Sequence, residues 1–263
     1  MKNTLLIPLA GYGKRFGEVG YYLPKQLLQI LGKTTLEYSL ESILPDSGFD
    51  VVILLRSGLM TKHDLRPIFN KYFNRECKFI EVIDDTRGSL ETCLLARPYI
   101  DPESGLHIFT LDVQISPKIN LTKIDFDASS AQISLVKTNN PGYSYAQVNL
   151  QDGSVTKVAE KRIISNYVAT GLYSFAEAAE FFKFSKEHIS KGLVINKEFY
   201  ISDVYRVYLE HGKSISSTIT EVIYSFGTPR EYEWCVNNIK TKWSSFGFAS
   251  DHSGYAEKDE VTK

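Results

Sequence analysis

The sequence predicts an α/β fold: a mostly parallel mixed sheet between helical layers, followed by a smaller antiparallel subregion. Three observations predict it. Short apolar runs of strand length alternate with helically spaced segments as far as Asp112. A chain of 263 residues that is 43% hydrophobic can fill one large α/β core or two small ones. Beyond Asp112 the alternation gives way to closely spaced strand-like runs joined by turn signals, Asp152-Gly153 the strongest of them.

In chain order, the run over 5–10 suits a buried strand and breaks abruptly at Gly11-Tyr12-Gly13. Residues 34–44 carry Leu36, Leu40, Ile43 and Leu44 at helical spacing, and Pro45, Asp46 and Gly48 close this first crossover helix. A branched-residue strand over 51–55 is followed by a helix over about 61–73 and a third strand over 79–83. Arg87-Gly88-Ser89-Leu90-Glu91-Thr92 leads into a helix reaching about residue 99, and a fourth strand, 106–111, terminates at Asp112. This alternation predicts parallel strands with right-handed crossovers. The antiparallel subregion takes strands over 131–137, 145–150, 155–158 and 167–175. Helices over 176–190 and 199–211, a strand-like run over 215–224 and a last helix over 229–240 complete it. From Ser244 the chain turns polar and rich in small residues, so the reading is one domain over 1–243 and a loosely held tail over 244–263.

Thirty basic against 31 acidic residues leave a formal charge of −1, so no global field favours nucleic acid or an anionic membrane. Any anion site must be local. Cys77, Cys93 and Cys235 are isolated and lack metal or disulfide spacing, which makes them reduced packing residues. Pro8 and the Gly-Tyr-Gly-Lys-Arg sequence cut the first apolar patch short of a signal-peptide core, and no window approaches a membrane span. The expected location is the cytoplasm.

Gly11 and Gly13 can take positive φ and let a ligand approach the backbone, while Lys14, Arg15 and Lys25 put three cations around the loop. A polyphosphate suits that environment; an ordinary solvated loop is the alternative. Phe16 stands where the dinucleotide fingerprint needs its third glycine, and GxxxxGK[ST] does not occur. Ligands of open α/β sheets sit beyond the carboxyl ends of the strands, which makes the glycine loop and Asp112 candidates to face one crevice. Magnesium takes one or two carboxylates plus phosphate oxygens, and Asp112 suits that use, although a lone aspartate after a strand is more often a cap or turn former. Asp203 in KEFYISDVY is the second candidate carboxylate, with capping of the helix it opens as the alternative, a task Ser202 can share. Glu160-Lys161 by itself reads as a solvated ion pair. His63, His107, His188, His211 and His252 are scattered without zinc or nucleophile spacing. Tyr143 and Tyr145, in a glycine-proline loop, are candidates to line an acceptor site.

The ordered elements LAGYGKRF, LPKQLLQILGK, RGSLET, the Asp112 strand end, VAEKR, ATGLYSF, KEFYISDVY and FGTPREY run from residue 6 to about 231. Together they resemble the nucleotidyltransferase superfamily that includes sugar-nucleotide pyrophosphorylases and phosphocholine and methylerythritol-phosphate cytidylyltransferases. The resemblance implies a Rossmann-like three-layer sandwich of the GT-A-like nucleotidyltransferase type. It also implies transfer of a nucleoside monophosphate from a nucleoside triphosphate to a phosphomonoester, a sugar 1-phosphate first, with release of pyrophosphate. Arg15, Lys25 and Lys161 would be catalytic, on the β and γ phosphates, the α-phosphate and the acceptor's phosphate respectively. Leu9, Ala10, Gly11, Gly13, Lys14, Gly88 and Ser89 would bind the nucleotide, and Glu160, Gly171 and Glu198 the acceptor. Asp112 and Asp203 would hold Mg2+.

The chain departs from the family pattern at three places. Lys14 replaces a small hydroxyl residue, and Gln26 after Lys25 is shared with the methylerythritol-phosphate enzymes rather than the sugar pyrophosphorylases. Ser225-Phe226-Gly227-Thr228 lacks the aspartate that hexose-phosphate thymidylyltransferases carry before their GT pair. Three other functions stay open: cytidylyl transfer to a non-sugar phosphomonoester such as phosphocholine, glycosyl transfer on a GT-A fold, and nucleotide binding without catalysis. Leu111-Asp112-Val113 has one aspartate where glycosyltransferases often bracket a residue with two. Expected partners are a nucleoside triphosphate and a small phosphomonoester, without nucleic acid or membrane insertion, and with a homodimer left open. The product would feed a cell-surface polysaccharide or lipid pathway.

Overall fold

The computed structural model describes residues 2–44, 48–138, 140–192 and 194–239. Nine strands, numbered in chain order, build its main sheet: β1 (Asn3–Leu9), β2 (Asp50–Arg56), β3 (Lys78–Val82), β4 (Gly105–Phe109), β5 (Ala131–Lys137), β6 (Ser144–Val148), β7 (Val155–Glu160), β8 (Tyr167–Phe175) and β9 (Ile215–Thr220). The order is β7-β6-β8-β4-β1-β2-β3, with β5 pairing β8 and β9 pairing β5. β4, β1, β2 and β3 are mutually parallel; β8 returns antiparallel to β4 and opens the second half. The mixed α/β sandwich and its antiparallel subregion therefore follow the sequence expectation.

The parallel strands read as continuous apolar runs because both their faces are covered. Leu6, Val52, Leu54 and Ile108 point to one face, into a cluster with Leu90, Phe181 and Val204. Leu5, Ile7, Val51, Ile53, Leu55 and Phe109 point to the other, against Leu36, Leu40 and Phe69. Each such side chain contributes about 1.5–3 kcal/mol by leaving water. The covering helices are α1 (Lys14–Glu18), α2 (Thr35–Leu40), α3 (Ser57–Lys62), α4 (Arg66–Phe73), α5 (Ser89–Leu94), α6 (Ala178–Ser190), α7 (Ser202–Glu210) and α8 (Pro229–Asn238). A smaller core of Phe16, Leu28, Ile30, Tyr38, Phe226, Tyr232 and Cys235 docks α1, and with it the glycine loop, onto α8. Phe16, Tyr21 and Tyr232 meet edge-to-face in it, at 5.5–6.3 Å between centroids.

Several boundaries differ from the sequence reading, each for a local reason. The helix expected over 61–73 is two: His63 is extended, Asp64 Oδ1 accepts from the Arg66 N–H at 3.1 Å, and Pro67 starts α4. α2 starts with a Thr34/Glu37 capping box and stops at Leu40; Ile43–Leu44 pairs with Ile119–Asn120 instead. The expected strand over 215–224 changes partner after Thr220, since Val222–Ser225 pairs with Val113–Ser116 in a separate ribbon. Periodicity cannot report such a change of sheet. The Pro45-Asp46 stop and the tail over 244–263 lie outside the described residues. All three cysteines are buried. Among the described residues no helix is long and apolar enough to cross a membrane.

Candidate active site

The carboxyl ends of β1, β2 and β3 are knotted by one side chain. Arg56, 8% exposed, donates through Nε to the Ala10 carbonyl (3.0 Å) and through Nη1 to the carbonyls of Ile83 (3.1 Å) and Asp84 (2.8 Å). A buried guanidinium is tolerated because these carbonyls and Asp85, at 3.5 Å, satisfy it. Tyr12 stacks over Arg56 at 4.4 Å and donates to Asp85 at 2.6 Å, which fixes the root of the glycine loop. Leu9 and Ala10 are buried below, and Gly13 takes the left-handed conformation (φ 63°) at the start of α1. A Cβ built on Gly11 or Gly13 meets nothing within 4 Å, so the loop opens onto free space flanked by exposed Lys14 and Arg15.

Lys25 enters from a 3-10 turn (Lys25–Leu27), and its Nζ lies 3.9 Å from Asp112 Oδ2. Asp112 follows Leu111, whose φ of 53° turns the chain sharply beyond β4, and Thr110 donates its hydroxyl to Asp112 Oδ1 at 2.8 Å. β8 passes beside this turn only because residue 171 is glycine. Its φ is 91°, and a Cβ there would lie 2.5 Å from Thr110 Oγ1. Gly88 plays the same role one loop away: its φ is 108° and a Cβ would meet the Phe199 carbonyl oxygen at 2.5 Å. The Arg87–Ser89 loop is thereby held on the segment carrying Glu198, through Phe199 N–H to Arg87 O (2.6 Å) and Leu90 N–H to Phe199 O (3.1 Å).

On the opposite bank, Glu160 is 7% exposed and accepts from the hydroxyls of Ser144 and of Ser202 (2.7 Å). Burial raises its pKa, and Asp203 raises it further; the two serine hydrogen bonds and Lys161 pull the other way. Lys161 has φ 50°, its N–H donating to the Tyr143 carbonyl at 3.1 Å, and its Nζ donates to the Tyr200 hydroxyl, which in turn donates to Glu198. Burial, Glu198 and Glu160 raise the Tyr200 pKa, and the Arg15 charge on the glycine loop lowers it. Burial raises the Tyr173 pKa, and the charges of Glu160, Asp112 and Asp203 raise it further.

Lys25, Asp112, Glu160, Lys161 and Glu198 thus share one neighbourhood, joined through Tyr143 and Tyr200, with Arg15 exposed on the glycine loop. Asp203 does not, and its expected metal role is corrected. It is 1% exposed beneath Glu160, on a helix packed against β7 and α6. Its Oδ1 lies 3.1 Å from Arg206 Nη1, its Oδ2 3.8 Å from His188 Nε2, and burial raises its pKa. A cation could reach it only by displacing that packing.

The residues at Asp112 do fit a hard cation. A Cβ at Gly227 would lie 3.6 Å from Asp112 Oδ2, 3.6 Å from Ser225 Oγ and 3.4 Å from Glu231 Oε2, so the glycine leaves an oxygen-lined cradle. Among the described residues no group of three or more His, Cys, Asp or Glu side chains is arranged to hold a metal. Oxygens from a phosphate substrate would have to complete the shell.

Sequence reasoning missed Arg56, Tyr200, Ser144 and Glu231. A lone arginine ending the apolar run DVVILLR was a signal for the first, and T-x-x-E capping-box spacing at Thr228–Glu231 for the last. Nothing local distinguishes Tyr200 or Ser144 from the other aromatic and hydroxyl residues.

No curated protein sequence matches the chain. Among solved structures, a nucleoside-diphosphate-sugar pyrophosphorylase from Vibrio cholerae RC9 superposes with a TM-score of 0.76 at 23% identity, covering 88% of this chain and 99% of that one. A UDP-glucose pyrophosphorylase complexed with UDP-glucose gives 0.69 at 19% identity, over 90% and 98% of the two chains. The inositol-1-phosphate CTP transferase from T. maritima gives 0.61 at 17%, over 88% and 91%. These likenesses show the fold. The family model for nucleotidyl transferases matches residues 6–250, nearly the whole chain around the crevice, and the protein belongs to that family.

Proposed function

We propose that the protein transfers a nucleoside monophosphate from a nucleoside triphosphate to a phosphomonoester, a sugar 1-phosphate first among acceptors, and releases pyrophosphate. The observation that carries this reading is the Lys25–Asp112 pair at 3.9 Å on one bank facing Lys161, held by Tyr200 and Glu198, on the other. Cations on both sides suit a reaction that brings two phosphate groups together.

An acceptor phosphate oxygen attacks the α-phosphorus, the bond from that phosphorus to the bridging oxygen breaks, and the electron pair leaves on pyrophosphate. The attacking phosphate is already ionised, so no side chain has to remove a proton. Lys161 holds the acceptor phosphate, with Glu160, Gly171 and Glu198 around it. Lys25 faces the α-phosphate, while Arg15, Lys14 and the backbone N–H groups from Leu9 to Gly13 receive the departing phosphates. Gly88 and Ser89 offer backbone groups to the base. Asp112 would hold Mg2+, which supplies positive charge to the triphosphate oxygens. Neighbours named for UDP-glucose and for inositol-1-phosphate agree with a small polyol phosphate as acceptor.

The test incubates the full chain with Mg2+ and each nucleoside triphosphate against a panel of sugar 1-phosphates, inositol 1-phosphate and phosphocholine. Pyrophosphate released with one nucleotide–acceptor pair supports the reading. Release of nucleoside diphosphate from a nucleotide sugar would replace it with glycosyl transfer.

A further inference from the structure

We infer that Glu231, at the start of α8, supplies the second carboxylate of a divalent-cation site with Asp112, across the gap left by Gly227; this rests on the transfer reaction proposed above. Two anionic side chains converge on one point there: Asp112 Oδ2 lies 3.6 Å and Glu231 Oε2 3.4 Å from where a Cβ on Gly227 would stand. Lys25, 3.9 Å from Asp112, brings one positive charge to the Asp112 side of this gap.

Glu231 is held in this position rather than merely passing through it. Its Oε2 accepts from the Thr228 hydroxyl at 2.8 Å, its backbone N–H donates back to Thr228 Oγ1 at 3.3 Å, and its Oε1 accepts from the Tyr143 hydroxyl at 2.7 Å. Those donors use part of a carboxylate's accepting capacity, which is about four lone-pair sites, and leave the rest for a cation. Such anchoring is how ligating carboxylates are oriented in metal sites. The neighbours of Glu231 are themselves fixed, because Tyr232 packs in the small core with Phe16, and Phe226 donates its N–H to the Asp112 carbonyl at 2.7 Å. Residue 225 contributes only a serine, whose Oγ lies 3.6 Å from the same point. Glu231 therefore brings the negative charge from one helical turn further along the chain. Asp203, buried against Arg206 and His188, is no competitor.

The experiment titrates the full chain with Mn2+ alone and with Mn2+ plus inorganic pyrophosphate, reading free Mn2+ by electron paramagnetic resonance. Glu231→Gln keeps the size and the backbone N–H that Thr228 caps, and removes the charge. Gly227→Ala fills the gap with a methyl at ordinary contact distance and leaves every charge in place. Each variant is expected to weaken Mn2+ binding by about tenfold or more, with Asp203→Asn within about twofold of the parent. Parental Mn2+ affinity in Glu231→Gln or in Gly227→Ala overturns the site, as does a parent protein that binds no Mn2+ in either arm. Circular dichroism melting of each variant shows that a loss is not unfolding. Pyrophosphate release by a parent whose Glu231→Gln variant binds Mn2+ normally would leave the reaction standing and remove Glu231. Weakened Mn2+ binding in a protein that turns over no substrate pair would do the reverse.

Discussion

The glycine-loop bank of the crevice presents Lys14 and Arg15 to solvent above open space at Gly11 and Gly13, whereas the bank formed by β7 and α7 ties Glu160 to Ser144 and Ser202 and Lys161 to Tyr200. The first grows out of parallel strand ends, the second out of an antiparallel pair and a helix. The difference separates two tasks. A loop of donors with little around it can wrap a long, charged polyphosphate, and binding supplies the order. A bank whose side chains already hold one another loses less entropy when a ligand arrives and imposes geometry on it. On the proposed reaction, acceptor choice would belong to the antiparallel bank and phosphate affinity to the parallel one.

The strongest way to break that division is at its boundary. Asp112→Asn should lower Mg2+-dependent turnover by about 10³-fold while the thermal midpoint barely moves; pyrophosphate release at the parental rate would take Asp112 out of the site.

A second contrast is electrostatic. Burial lowers the pKa of His107, on β4 in the parallel half, to about 4 from a model-compound 6.5. The unfolded chain takes up a proton there near pH 6.5 and the folded chain only near 4. Stability is complete above 6.5 and falls by on the order of 3 kcal/mol as pH drops through that window. Glu160 has the opposite sense, since its raised pKa gives a contribution that is full below the unfolded value and lost as pH rises through the folded one. Urea unfolding at stepped pH should show the acid slope in the parent and lose most of it in His107→Asn. An unchanged slope would place the acid-sensitive group elsewhere.

Kinetics can test the banks separately. Lys161→Ala should cost about 10²-fold in kcat/KM for the acceptor and leave the triphosphate KM nearly unchanged; Arg15→Ala should do the converse. Equal effects of both variants on both substrates would abolish the distinction. The smallest expected effect compares two glycines. Gly88→Ala forces a Cβ against the Phe199 backbone and should destabilise by about 2 kcal/mol, whereas Gly11→Ala, with open space around it, should stay within about 0.5 kcal/mol. Equal denaturation midpoints for the two variants would mean that the Gly88 loop is not pinned to Phe199.

The sequence was most legible where both sheet faces are covered, because a run such as Val51 to Leu55 needs no partner information to be read as a buried strand. It was least legible where an element changes partners, as at Thr220 to Val222, or where a helix had to be rotated. Asp203 and Glu231 illustrate the second case. Each sits in the first turn of a helix; Asp203 reads as cap or ligand in the sequence, whereas Glu231 was passed over. Asp203 shares a face with Val207 (i, i+4), and packing of that face on β7 and α6 turns its carboxylate inward, to Arg206 and His188. α8 is docked through Tyr232 and Cys235 on the core that holds Phe16, and this turns Glu231 toward Asp112.

By itself, then, the sequence determined the α/β class, the alternation that builds the parallel strands, the glycine loop with its cations and the strand end that carries Asp112. These are local properties: hydrophobic period, glycine's freedom in φ and the charge of a few neighbouring residues. Tertiary structure alone decided which carboxylates border Gly227, that Arg56 knots three strand ends, and that Lys161 donates to Tyr200. Such meetings join residues dozens to more than a hundred positions apart, and they depend on how each helix is turned when its apolar face is buried.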